Sequence, residues 1–263
     1  MPVATLIPAS ATAQAPAAPS SALARAGRIE VRVADRPDEV DQALTLRFRV
    51  FATELGADLR DPQGRDRDVF DAYCRHLIAW DLDTGRVVGT YRALLPEDAR
   101  RLGFLYADRE FVLSWLNPLR SDLVEFGRAC IDPAYRNGVV LMMLWRGMRE
   151  FVERHGHQYV IGCCSLPAHD GGVMAAQLYR QLARDHLAPA DLRVWPRLRL
   201  PSAALASGPP PSPLTVPPLL KGYLKAGARI LGEPHLDPQF RCADLPVILE
   251  VRALDGRLRT RLS

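Results

Sequence analysis

A chain of 263 residues that is 48% hydrophobic and 24% charged can bury a substantial core, as one large domain or two small ones. Its net charge of +4 is carried almost wholly by arginine, since Lys221 and Lys225 are the only lysines. No basic run or basic strip interleaved with aromatics occurs, so nucleic acid is not an expected partner, and no apolar stretch is long enough to span a bilayer.

Residues 1–27 are rich in alanine, proline and serine and lack a basic leader, which predicts a disordered tail rather than a secretory signal, with order beginning at Arg28. Ile29, Val31 and Val33 alternate with Glu30 and Arg32, the pattern of a half-buried strand. Asp35 and Pro37 mark a helix start, with Asp38 and Glu39 near its positive end. Val40, Leu44, Phe48, Phe51 and Leu55 supply its apolar stripe, and Arg47 lies beside that stripe. The charged segment 58–68 reads as a loop. His76–Trp80 and Arg86–Leu95 are predicted strands joined by a turn at Asp83-Thr84-Gly85, which puts Arg92 late in the second. Residues 96–121 are expected to be irregular, with a short helix near Glu110–Leu116.

Leu123, Val124 and Phe126 then make a strand around Glu125. A turn at Asp132-Pro133 leads into a loop holding Arg136 and Gly138, and a helix follows from about Val139 to Arg154. Gln158–Leu166 is apolar enough for a central strand, and Gly171–Leu187 reads as a helix. The proline-rich segment 201–218 is expected to be a flexible loop, Val247–Ala253 a last strand and 255–263 a tail. Strands alternating with helices imply an α/β (α+β) fold with a mixed sheet, in one domain over residues 28–254.

Glu125 is the first candidate for chemistry. Its apolar neighbours would partly desolvate it and lift its pKa toward the range useful for a base, but a structural ion pair with Arg128 explains the same residues equally well. Strand, basic loop and helix N-terminus form a cradle for a phosphate or carbonyl oxygen, although Arg136-Asn137-Gly138 carries one glycine where a phosphate grip would want two. Asp68 and Asp71, around Phe70, could orient an ammonium or hold arginines; on so polar a loop a solvated pair is the plainer reading. Arg47 and Arg92 sit beside apolar stripes and need carboxylate partners, which Asp68, Asp71 and Glu125 can supply. The cysteines Cys74, Cys130, Cys163, Cys164 and Cys242 are odd in number and irregularly spaced, which argues against a disulfide framework and for a reducing compartment. No Cys-x-x-Cys pair or His-x-x-x-His helix offers a metal site, and no Gly-x-Ser-x-Gly elbow supports a serine triad.

The candidates fall in a recognisable order. Arg47-x-x-x-Phe51, Asp68-x-Phe70-Asp71, Val87-Val88-Gly89-Thr90-Tyr91-Arg92 and Glu125-Phe126-Gly127-Arg128 together resemble the acyl-homoserine-lactone-synthase-like branch of the Gcn5-related N-acyltransferase superfamily. Phe70-Asp71-x-x-Cys74-x-His76-Leu77, Gly162-Cys163-Cys164-Ser165 and Leu219-Leu220-Lys221-Gly222-Tyr223 bring the chain closer to the L-ornithine Nα-acyltransferases within that branch. The resemblance runs from about Arg28 to Ala253. It implies a mixed, splayed sheet flanked by helices, and transfer of a 3-hydroxyacyl chain from acyl carrier protein to the α-amine of ornithine. It also implies that Glu125 is the base, and that Arg47, Asp68, Asp71, Arg92 and Arg128 form the polar network around substrate and active site. The loop Arg136-Asn137-Gly138-Val139-Val140 departs from the spacing of acetyl-coenzyme A users, which suggests a carrier-protein donor with no bound cofactor. An acidic carrier would meet an arginine-rich surface. A cytoplasmic enzyme with peripheral contact at the inner membrane face is expected. The rival expectations are an acyl-homoserine-lactone synthase, an acyltransferase for another amine, and a non-catalytic carrier-protein or lipid-binding module.

Overall fold

The computed structural model describes residues 21–208, 210 and 214–252. The chain enters the main sheet at β1 (Ala24–Ala26), which pairs antiparallel with β2 (Ile29–Val33). The described strands thus start ahead of the expected Arg28: Ala24-Arg25-Ala26 is too short and carries too little apolar bulk to read as a strand, yet Ala24 and Ala26 pack onto the core beside Leu23. The remainder of the expected tail, 1–20, and residues 253–263 lie outside the described residues.

Helix α1 (Pro37–Phe48) has proline at its start and Asp38 and Glu39 in its first turn, and runs on as a π-helical turn over Arg49–Glu54. Strands β3 (Arg75–Asp81) and β4 (Arg86–Leu94) form the expected hairpin. Residues 96–121 differ from expectation. They contain α2 (Pro96–Leu102), α3 (Ala107–Glu110), β5 (Phe111–Val112) and a 3-10 segment at Ser114–Asp122. Pro96 followed by Glu97 and Asp98 is a good helix start, while Phe111–Val112 is drawn into pairing with a distant strand rather than into a helix.

Strand β6 (Leu123–Ile131), helix α4 (Val139–Arg154), strand β7 (Tyr159–Pro167) and helix α5 (Val173–His186) follow close to their expected bounds. Strand β8 (Trp195–Pro196) pairs with β5. The proline-rich segment is not wholly irregular: it contains α6 (Ser202–Leu205), and α7 (Pro218–Ala226) begins at its end. The chain closes with β9 (Arg229–Ile230), β10 (His235–Asp237) and β11 (Cys242–Glu250). Strand β11 starts ahead of the expected Val247; Asp244 and Pro246 interrupt the apolar pattern and hide its first half in the sequence, while pairing with β7 holds it.

The main sheet runs β1-β2-β3-β4-β6-β7-β11-β10, with β9 also on β11, and every pair is antiparallel except β6–β7. Alternation along β3 divides the two faces. Leu77 and Ala79 pack with Val140 and Leu144 of α4, while Ile78 packs with Ala43 and Leu46 of α1. No described helix is long and apolar enough to cross a membrane.

Candidate active site

The site is built where β6 and β7 part. Their parallel pairing covers only Leu123–Glu125 against Tyr159–Ile161, although both strands continue well beyond. At the parting point the backbones still nearly touch: a Cβ on Gly162 would lie 2.6 Å from the Phe126 carbonyl oxygen, so only glycine fits. On its other side β6 bulges against β4. Thr90 faces Cys130 and Arg92 faces Gly127, so Tyr91 is opposed by both Arg128 and Ala129. Arg128 takes the left-handed conformation at φ 55°, which turns its side chain and helps to open the strands. Between β6 and β7 lies a cavity of about 340 Å³, lined by residues of both strands and by the segment from Asp237 to Asp244.

Glu125 lines this cavity and is 6% exposed. Its Oε2 accepts from the Tyr106 backbone N–H at 2.6 Å and its Oε1 from that of Ala107 at 2.7 Å. Burial pushes the carboxyl up to about 7, against the two N–H bonds and the Arg92 guanidinium that favour its charged form. The ion pair with Arg128 that the local sequence allowed is not formed.

Arg128 belongs instead to an interlocked set of arginines and aspartates. Arg47, fully buried, donates from Nε to Asp66 at 2.8 Å and from Nη1 to Asp71 at 2.7 Å. Arg92 donates to Asp68 at 2.6 Å and to Asp71 at 3.1 Å. Arg128 donates to Asp66 at 3.1 Å and to Asp68 at 3.3 Å. Its guanidinium lies between two rings, 5.0 Å from the centroid of Tyr106 and 4.4 Å from that of Phe240. Asp68 and Asp71 are held by a capping box: Asp68 accepts from the Phe70 N–H and Asp71 from the Asp68 N–H. They are therefore fixed network members, not the solvated pair that so polar a loop suggested. Burial would raise the Asp71 carboxyl, but Arg47 and Arg92 hold it well below the usual range.

Of the residues singled out in the sequence, Glu125, Arg92 and Arg128 reach the cavity. Arg47, Asp68 and Asp71 stand behind Arg92 and Arg128 and hold them. Asp66, hidden in a loop of many charges, was not singled out; the need of buried Arg47 for a second carboxylate was the available signal. Three further buried carboxylates were also missed: Glu110 on α3, Asp237 on β10 and Asp244 on β11. Only Asp244, a charge inside an apolar strand, left any trace in the sequence.

The loop before α4 does not line the cavity. Arg136 pairs with Glu54 and donates to the Ile131 carbonyl at 3.0 Å. The Val139 N–H, first at the helix start, donates to the Asn137 side chain. All five cysteines are free. Cys74 and Cys163 line the cavity, and burial pushes both thiols up, Cys74 to about 12.

A mixed sheet whose two parallel strands splay beside a buried carboxylate defines an N-acyltransferase of the Gcn5-related type. The acetyltransferase (GNAT) domain family matches residues 46–146. An L-ornithine N(alpha)-acyltransferase of Brucella abortus (strain 2308) is 33% identical over 255 residues, covering 89% of this chain and 89% of that protein. That of Rhizobium meliloti (strain 1021) is 31% identical over 260 residues, covering 93% and 88%. The chain belongs to the L-ornithine N(alpha)-acyltransferase family. Among solved structures, the CoA-dependent acyl-homoserine lactone synthase BjaI with MTA shares the fold, at 18% identity and a TM-score of 0.51 over 85% of this chain and 82% of that one.

Proposed function

We propose that the enzyme transfers a 3-hydroxyacyl chain from acyl carrier protein to the α-amine of L-ornithine, giving an N-acylated amino acid, a lyso-lipid. The observation that carries this reading is Glu125, a carboxyl held near neutrality in the cavity wall where the strands part. An exposed α-ammonium has a pKa of about 8 and must lose a proton before it can attack. Glu125 takes that proton, directly or through a water. The amine nitrogen forms the C–N bond at the thioester carbonyl, the C–S bond breaks, and the departing thiolate takes up the second proton, which the nitrogen sheds on becoming an amide, while Glu125 returns the first to solvent. Backbone N–H groups of the parted strands are suited to the developing oxyanion. Direct transfer is favoured over an acyl-enzyme, because the Cys74 and Cys163 thiols stay protonated at neutral pH. The two substrates and Glu125 account for every proton and electron pair, so the scheme calls for no bound cofactor.

Two features favour a carrier protein over free coenzyme A as donor. The Val139 N–H at the start of α4 is already satisfied by Asn137, which leaves one amide fewer for a pyrophosphate, and Arg136 is spent on Glu54. The arginine-rich chain suits an acidic carrier. The product is an amphiphile, which fits a cytoplasmic enzyme with peripheral contact at the membrane face. Purified protein given 3-hydroxyacyl carrier protein and either ornithine or S-adenosylmethionine tests the reading. Thiol release with ornithine, and an acyl-ornithine mass, is the expected result. Thiol release with S-adenosylmethionine alone would make the chain a lactone synthase, and acyl-carrier binding without thiol release would make it a binding module.

A further inference from the structure

The carboxylates opposite Glu125 have no role in the scheme above, and their surroundings are unusual. Glu110, Asp237 and Asp244 are 4%, 8% and 6% exposed. Asp237 and Asp244 line the same cavity as Glu125. Ser165 donates to Asp244 Oδ1 at 2.7 Å. Asp237 Oδ1 accepts from the N–H groups of Gln239 at 2.8 Å and Phe240 at 3.0 Å, while its other oxygen meets no donor among the described residues. Glu110 accepts a weak thiol contact from Cys163 at 3.5 Å and a hydrogen bond from the Tyr106 side chain. None of the three is ion-paired among the described residues. Arg128, whose charge reaches Asp244, is committed to Asp66 and Asp68, and Arg92 to Asp68 and Asp71.

Buried carboxylates without a counter-cation are costly, and such groups respond by holding protons or by binding a cation. Burial pushes Asp244 up to about 6, assisted by the charge of Asp237, and raises Glu110 well above the usual carboxylate range. The cavity therefore has two unlike ends. Near Arg92 and Arg128, positive charge is balanced by aspartates; at the β10–β11 wall, Asp237 and Asp244 have no ion-pair partner among the described residues, although Arg241 lines the cavity as well. An amino acid acceptor with a second ammonium on an aliphatic arm is complementary to that wall. A divalent metal is the other cation to consider, since oxygen and sulfur atoms of Asp237, Cys242 and Asp244 lie within 4.8 Å of one another. One thiol beside two carboxylates is a poor set for the oxygen-seeking magnesium or calcium ions.

We infer that Asp237 and Asp244, with Glu110 behind them, form the specificity site that receives the side-chain ammonium of the acceptor amino acid while its α-amine faces Glu125. This rests on ornithine, or a diamino acid like it, being the acceptor. The same wall explains how the enzyme would reject amino acids with apolar side chains: they would leave these carboxylates buried and unpaired.

The test compares kcat/KM for ornithine with that for norvaline, which has the same carbon skeleton without the second amine. Wild-type enzyme is expected to prefer ornithine by about 10²-fold or more, as sites built around a buried polar contact do. In Asp237→Asn and Asp244→Asn, each measured as folded protein by cooperative melting, that preference is expected to fall by about 10-fold or more. Asparagine keeps the carbonyl oxygen that accepts from Gln239, Phe240 or Ser165, so at least one variant should fold. An unchanged ornithine-to-norvaline ratio in a folded variant, with wild type turning over ornithine, overturns the ammonium site and leaves the proposed function standing. Failure of the wild type to acylate ornithine overturns both. Loss of ornithine turnover on chelation, restored by a divalent metal, would assign the wall to a metal instead.

Discussion

The carboxylate of Glu125 and the backbone N–H of Ala107 meet at 2.7 Å, and the neighbouring N–H of Tyr106 meets the other carboxylate oxygen at 2.6 Å. This clamp comes from a short helix remote from the strand that carries Glu125. It favours the charged carboxylate, whereas burial favours the acid, and burial wins to leave the group poised near 7. The clamp also fixes the carboxyl rigidly, as a base acting on a bound amine requires.

A glutamine at this position keeps the size and one of the two N–H bonds, and removes the base. Glu125→Gln is therefore expected to lower kcat by about 10²–10⁴ while the protein still melts cooperatively. In the wild type kcat/KM should fall as pH drops below about 7, because the working form is the deprotonated one. Near-normal turnover by the folded glutamine variant would remove Glu125 from the role of base.

The arginine–aspartate network is expected to control stability first. Arg47→Leu leaves Asp66 and Asp71 buried without their main partner, which should cost about 3–5 kcal/mol in urea unfolding. Asp71 gives the network a pH signature. Its folded pKa lies below the ordinary 3.8, so its contribution is present above that value and is lost as pH falls through the lower folded one. Wild-type stability should decline in that acid window, and Asp71→Asn should flatten that part of the decline. Equal acid sensitivity of the two proteins would assign the loss to other carboxylates.

Arg128 is held by stacking as well as by charge. Lysine keeps the charge but cannot lie flat between Tyr106 and Phe240, nor reach Asp66 and Asp68 with a planar fork. Arg128→Lys is expected to lose about 1–2 kcal/mol of stability, as a desolvated cation–π contact would. It should also lower kcat/KM, since the cavity wall at the bulge loosens. A variant as stable and active as wild type would show that the rings contribute nothing.

The sequence made some of this legible and hid the rest for identifiable reasons. The strand around Glu125 and the sixteen-residue helix α4 carry strong periodicity, and the structure places both close to expectation. The ion pair between Glu125 and Arg128 was a poor expectation on geometry alone: residues three apart in a strand point to opposite faces, and the bulge then turns Arg128 toward Asp66 and Asp68. Asp66 looked like one more solvated loop charge, because its partner Arg47 lies 19 positions earlier. The far wall was invisible for a similar reason. Glu110 and Asp237 come from a four-residue helix and a three-residue strand, and only the pairing of β10, β11 and β7 brings Asp237 and Asp244 beside Cys163 and Ser165.

Gly162 offers the sharpest test of how the cavity is made. An added Cβ would meet the Phe126 carbonyl oxygen at 2.6 Å, one residue beyond the last parallel pair, Glu125 with Ile161. The obstruction is backbone, so no side chain can swing aside and the two strands must move apart. Gly162→Ala should therefore cost about 1–3 kcal/mol, as overpacking does. It should also slow turnover, because Glu125 would shift relative to Tyr106 and Ala107. Gly127→Ala is the matched control: it lies on β6, next to Phe126, and lines the same cavity, but its Cβ would meet nothing within 4 Å. Its stability should stay within about 0.5 kcal/mol of wild type. Thermal melts of the two variants decide the matter. Equal stabilities would mean that the strands are held apart by the bulge at Arg128 alone, and unequal ones that the close approach at Gly162 sets where the cavity begins.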